Sequence, residues 1–170
     1  DVCSSDLFSQ SIDLSKLEDL SISNDKITGT CLESILPKAP VLKKLELRRC
    51  SNLNHDVQLS TLLTNLTTLI LDSWTASILL NKIVKIAPFI RILKLKNSDK
   101  EYPFELDVGD DFFNLETLKL EREPNISLKV LEQLLAATPN LKVLELLYYK
   151  KVNGLNLAKN SLLKIKKFPL

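Results

Sequence analysis

The chain has 170 residues, 45% of them hydrophobic, which is one domain's length with enough apolar material for a continuous core and which excludes intrinsic disorder. Its formal charge of +2 is too small to steer the whole molecule toward nucleic acid or anionic lipid, although residues 99–123 carry a net −6 and residues 142–170 a net +6. No apolar run reaches the roughly eighteen residues of a membrane-spanning helix, and a start at Asp1 with no methionine reads as an excised part of a longer protein.

In chain order, residues 1–13 read as an N-terminal edge segment and 14–170 as one domain of six to seven repeats. The repeat is the phrase L-x-x-L-x-L, first met at Leu17, Leu20 and Ile22. Its last two apolar positions flank one outward residue, the alternation of a short strand, and its first position turns into the same interior. Thr30-Cys31-Leu32-Glu33 then fits a capping box leading into a helix with Ile35 and Leu36 on one face, stopped by Pro37 and Pro40. The phrase returns at Leu42, Leu45 and Leu47 and is followed by a second short helical stripe, Leu59, Leu62 and Leu63. After Leu66, Leu69 and Leu71 a third stripe, Leu79, Leu80, Ile83 and Val84, ends near Pro88.

The fourth phrase, Ile90, Leu93 and Leu95, leads into residues 99–113, DKEYPFELDVGDDFF, which lack a helical stripe and read as irregular backbone with Phe104, Phe112 and Phe113 packed inward. Leu115, Leu118 and Leu120 are followed by a fourth stripe, Leu128, Leu131, Leu134 and Leu135, ending near Pro139. Leu141, Leu144 and Leu146 form the last clean copy, and Leu162 with Ile165 a damaged one, so that first positions are spaced 25, 24, 24, 25, 26 and 21 residues. One such unit cannot bury its apolar face alone, so copies must stack with parallel strands.

A strand–helix repeat of this period resembles the leucine-rich repeat family, closest to its ribonuclease-inhibitor-like and F-box-associated types. The resemblance implies an α/β solenoid, a curved horseshoe with parallel strands on its concave face and short helices on its convex face. It also implies protein binding, as the substrate-recognition arm of an adaptor or as an effector domain of an intracellular bacterium. The family's Asn or Cys after the strand falls on Asp25, Cys50, Trp74, Ser98, Glu123 and Tyr149; only Cys50 matches strictly, and Trp74, Glu123 and Tyr149 imply looser turns.

Three outward columns run across the strands: Asp19, Lys44, Thr68, Ile92, Thr117, Val143 and Lys164; Ser21, Glu46, Ile70, Lys94, Lys119, Glu145 and Lys166; Ser23, Arg48, Asp72, Lys96, Glu121, Leu147 and Phe168. The alternation Arg48, Asp72, Lys96, Glu121 predicts ion pairs between adjacent strands. Apolar outward positions are the material of protein contacts, so the candidate binding residues are Val143, Leu147, Tyr148 and Phe168 at one end and Ile70, Ile92 and the nearby Trp74 toward the middle; the patch at Val143 and Leu147 reads equally as a face that further repeats or a capping element would cover. Tyr149 occupies the structural position after the strand. Lys94, Lys119, Lys164 and Lys166 are secondary electrostatic candidates.

The expected partner is a protein. A nucleic-acid surface through the C-terminal lysines and a purely structural scaffold segment are the alternatives. No enzyme chemistry, metal or cofactor is expected: His55 is the single histidine, and three glycines cannot build a phosphate cradle. The sequons at Asn65 and Asn125 read as chance in an asparagine-rich chain. An odd set of cysteines, Cys3, Cys31 and Cys50, with no C-x-x-C pair points to a reducing intracellular compartment, cytoplasm or nucleus, or host cytoplasm for an effector.

Overall fold

The computed structural model describes residues 12–96, 112–121, 127–147 and 164–168. Every copy of the phrase ends in a five-residue strand: β1 (Asp19–Ser23), β2 (Lys44–Arg48), β3 (Thr68–Asp72), β4 (Ile92–Lys96), β5 (Thr117–Glu121), β6 (Val143–Leu147) and β7 (Lys164–Phe168). They pair as one open, parallel sheet in chain order, β1 to β7. Equivalent residues face each other, as in Leu20 with Leu45, Leu45 with Leu69 and Leu69 with Leu93. In-register pairing keeps every leucine on one side, because a slip of one residue would send the whole set to the other face.

Three helices carry part of the return path among the described residues: α1 (Gly29–Ile35), which tightens into a 3-10 turn at Leu36–Lys38, α2 (Ser73–Ile86) and α3 (Leu128–Ala136). The strand leucines from Leu45 to Leu146 are at most 1% exposed and share one core with Leu32, Leu79, Leu80, Ile83, Leu131 and Leu134. Burying a leucine fully is worth about 1.5–3 kcal/mol relative to leaving it exposed. At β1 the same positions, Leu20 and Ile22, are only half-buried, since β1 pairs with β2 alone among the described strands.

A tight turn precedes each of β1 to β6 and repeats as faithfully as the strands do. The N–H of the first phrase residue donates to the carbonyl three residues earlier: Leu17 to Leu14, Leu42 to Ala39, Leu66 to Leu63, Ile90 to Ala87, Leu115 to Phe112 and Leu141 to Thr138, at 3.0–3.4 Å. Pro40, Pro88 and Pro139 hold the second position of their turns, where a fixed φ suits the bend. Asn65, Asn114 and Asn140 hold the third, and their Nδ2 groups donate to carbonyls in the turn before: Asn65 to Pro40 at 3.0 Å, Asn114 to Pro88 at 2.8 Å and Asn140 to Phe113 at 2.8 Å. The Asn65 sequon amide is therefore engaged in the stacking of repeats.

Stacking continues at the next residue. The carbonyls of Glu18, Lys43, Thr67, Arg91 and Glu116 each accept two consecutive N–H groups from the following repeat, at 2.7–3.0 Å. Gly29 marks another close approach: a Cβ there would stand 2.5 Å from Val57 Cγ2, so the start of α1 has no room for a side chain.

Several expectations are corrected. The capping box at Thr30 does not form; Thr28 is the N-cap, Thr30 Oγ1 meets Thr28 Oγ1 at 2.9 Å, and Glu33 accepts from Gln58 N at 2.7 Å in the next repeat. The stripe Leu59, Leu62 and Leu63 is not helical: Leu63 N donates to Ile86 O at 2.7 Å, satisfying the end of α2 instead of a local helix, and Leu62 is exposed. Phe112 is buried as expected but Phe113 is 62% exposed, because it takes the turn position held elsewhere by proline; Phe104 lies outside the described residues. The stripes at Leu79–Val84 and Leu128–Leu135 lie in helices as read.

If the turn asparagines join the repeats, Asn114→Ala should lower unfolding free energy by about 1 kcal/mol, the net worth of one hydrogen bond. Urea unfolding followed by circular dichroism checks this, and an unchanged midpoint would show that the Asn114 amide adds nothing.

Candidate protein-interaction face

The sheet face opposite the leucines carries the three expected columns, and strand register places them side by side. Its side chains shelter one another: from β2 to β6 every outward residue is half-buried except Glu46 and Asp72, which are buried. A carboxylate as enclosed as Glu46, 9% exposed, needs cations. Arg48 Nε lies 2.9 Å and Lys96 Nζ 3.6 Å from its Oε1. Lys94 Nζ meets Glu121 Oε2 at 2.7 Å and Lys119 Nζ meets Glu145 Oε2 at 2.9 Å. The centre of the face is thus a band of opposite charges satisfied within the molecule.

The pairing differs from the alternation expected along the third column. Asp72 does not pair with Arg48 or Lys96, because the chain leaves β3 directly into α2 and Asp72 becomes its N-cap. Its Oδ1 accepts from Thr75 N at 2.8 Å and its Oδ2 from Arg49 N at 2.5 Å. Arg49 sits in the left-handed region, φ 54°, a conformation that disfavours a side chain and that this second bond helps to hold. Lys96, left without Asp72, reaches past β3 to Glu46 on β2.

The apolar candidates separate into two groups. Val143 and Leu147 stand two outward positions apart on β6, both half-buried, with Glu145 and its lysine between them. Phe168 is the register partner of Leu147 on β7, Lys166 that of Glu145, and Lys164, exposed, that of Val143. Ile70 on β3 and Ile92 on β4 lie on adjacent strands in neighbouring columns, both half-buried. Trp74 lies in the first turn of α2, partly buried against the core, so the looser turn expected after β3 is a helix start. Tyr148 and Tyr149 lie outside the described residues.

Reactive groups are sparse. Among the described residues no cluster of three or more His, Cys, Asp or Glu side chains is placed to hold a metal ion. His55 is exposed in the segment between β2 and β3, where its carbonyl accepts from Lys82 Nζ. Cys50 is buried, its Sγ donating to Arg48 O at 3.3 Å in the position the family pattern assigns it. Desolvation, with the nearby Asp72 charge adding to it, pushes its thiol up to about 11 from 9.0. Cys31 is disulfide-bonded, contrary to the reading of the cysteines as reduced; an odd count rules out complete pairing, not one bond.

Two outcomes follow from Asp72 and Cys50. Asp72→Ala removes the α2 cap and the Arg49 partner together and should cost about 1–3 kcal/mol in urea unfolding, whereas Asp72→Asn, which keeps an acceptor, should cost less. A thiol whose folded pKa is raised contributes stability that is complete below about pH 9 and is lost as pH rises through about 11. Alkylation of Cys50 by iodoacetamide in the folded chain should accordingly stay slow at about pH 8 and accelerate toward the higher value; fast labelling at the lower pH would contradict its burial.

The chain matches the protein-family model described as At1g61320/AtMIF1, LRR domain, over residues 3–169. A search of curated protein sequences finds no match. Among the described residues no helix is long and apolar enough to cross a membrane.

Proposed function

From the premise that the chain belongs to the leucine-rich repeat family whose model it matches over residues 3–169, we propose that it is the recognition arm of an adaptor and meets its partner protein with the strand face. Domains of this family are interaction modules without catalytic chemistry, which sets the general role. The period of 24–26 residues in the clean repeats, with short helices between strands, favours the ribonuclease-inhibitor-like, F-box-associated type. An effector domain would use the same surface.

The observation that carries the reading is the pair Val143 and Leu147, half-buried and outward on β6 beside a band whose charges are already paired. Apolar side chains next to internally neutralised polar groups can be covered by a partner without stranding a charge. Ile70 and Ile92 supply a second apolar step on the same face. A phosphate at Lys94 or Lys119 would have to displace Glu121 or Glu145; the nucleic-acid alternative instead rests on the C-terminal lysines, which these ion pairs do not involve.

Capture from lysate at low and high salt, with protein and nucleic acid both quantified, tests this. The wild-type chain should retain a protein partner at high salt, and a Val143→Ser, Leu147→Ser variant with native circular dichroism should bind it about tenfold more weakly. Full capture by that variant, or capture of nucleic acid that disappears with salt, would sink the reading.

A further inference from the structure

The turns at the entrance to the strands form a second surface, independent of the strand face. Their second positions, Pro88, Phe113 and Pro139, follow one another in three consecutive turns, all exposed, and the Asn114 and Asn140 amides fix the spacing. Phe89 stands beside Pro88 and is 50% exposed, while Phe113 is 62% exposed. Aromatic rings are rarely left in water at adjacent, rigidly spaced positions, because each forgoes the burial of a large apolar area.

The size of the patch selects its occupant. The two phenylalanines together expose on the order of 200 Å², and with the prolines the patch remains well short of the roughly 800 Å² per partner of a stable protein–protein interface. That is too little for a second copy of the chain and suits a single extended segment. Charge narrows the choice further. Arg91, two residues after Phe89, is exposed and takes part in no ion pair among the described residues, while the neighbouring carboxylate, Glu116, is already held by Lys142 at 3.2 Å. The backbone carbonyl of Arg91 accepts from Glu116 N and Thr117 N, so the Arg91 main chain joins the end of the Phe89 turn to the repeat that carries Phe113.

We propose that the Pro88, Phe89, Phe113 and Pro139 rim, with Arg91 at its base, is a docking site for a short peptide segment that carries an aromatic, leucine or proline anchor flanked by a carboxylate. The rings receive the anchor and the guanidinium receives the acid, the geometry in which arginine outperforms lysine.

The probe is a phage-displayed library of random short peptides selected on the full chain, with enriched sequences synthesised and titrated by fluorescence polarisation. Enriched peptides should pair an apolar anchor with Asp or Glu. Phe113→Ser should weaken them about tenfold and Arg91→Glu about fivefold, and Leu147→Ser should leave them unchanged. All three side chains are at least partly solvent-facing, and circular dichroism of each variant confirms folding. No enrichment, peptides without an acidic residue, or equal binding by Phe113→Ser overturns the proposal. Loss of binding in Leu147→Ser overturns it by moving the peptide to the strand face. Sedimentation equilibrium supplies the remaining arm: a dimer that Phe113→Ser dissociates would make a second copy the occupant and overturn the peptide assignment.

Discussion

A five-residue strand with leucines on one side can neither bury those leucines nor satisfy its backbone by itself. Everything in this chain follows from the way each repeat hands both problems to the next. The in-register parallel sheet buries the leucine pairs of β2 to β6 almost completely. Carbonyls just before the strands take two N–H groups each from the following repeat, and the turn asparagines add a third connection. Stability in such an array is a sum of nearest-neighbour terms, which accounts for the half-buried leucines of β1, paired on one side only among the described strands.

Freedom on the outward face is the counterpart of that constraint. Because packing is settled by the leucines, the alternate positions can carry charge, and they carry it in pairs: Glu46 with Arg48 and Lys96, Lys94 with Glu121, Lys119 with Glu145. Apart from the buried Glu46, these are partly exposed pairs that contribute little to stability, but among the described residues they neutralise the centre of the face and make the apolar interruptions at Ile70, Ile92, Val143 and Leu147 its distinguishing features. Asp72 shows the limit of that freedom. At the one place among the described strands where a helix begins immediately after the strand, an outward acid is drawn into capping and leaves the face.

Much of the architecture was legible because it rests on periods. Alternation by two identifies the strands and the three columns, and a spacing near 25 residues identifies the stack. The stripes at Leu79–Val84 and Leu128–Leu135 are long enough for a helix to form, whereas Leu59, Leu62 and Leu63 are too few, and the backbone there is recruited to cap α2. The asparagine connection was visible in principle, as Asn directly before the first leucine of three repeats, but it lies on the opposite side of the strand from the family's own Asn or Cys position. Phe112 and Phe113 could not be told apart by composition, since adjacent residues of a turn point in different directions.

The sequence by itself determined the repeat, the strand phase, the leucine core and which residues share the outward face, because these depend only on covalent spacing and on the need to remove leucine from water. Tertiary structure alone decided the partners: that Lys96 reaches Glu46 across an intervening strand, that Asp72 caps α2, that Trp74 joins the core and that Phe89 and Phe113 emerge on neighbouring turns. Side-chain reach and the direction in which the backbone leaves each strand set those outcomes, and both are properties of three-dimensional neighbours that no linear period encodes.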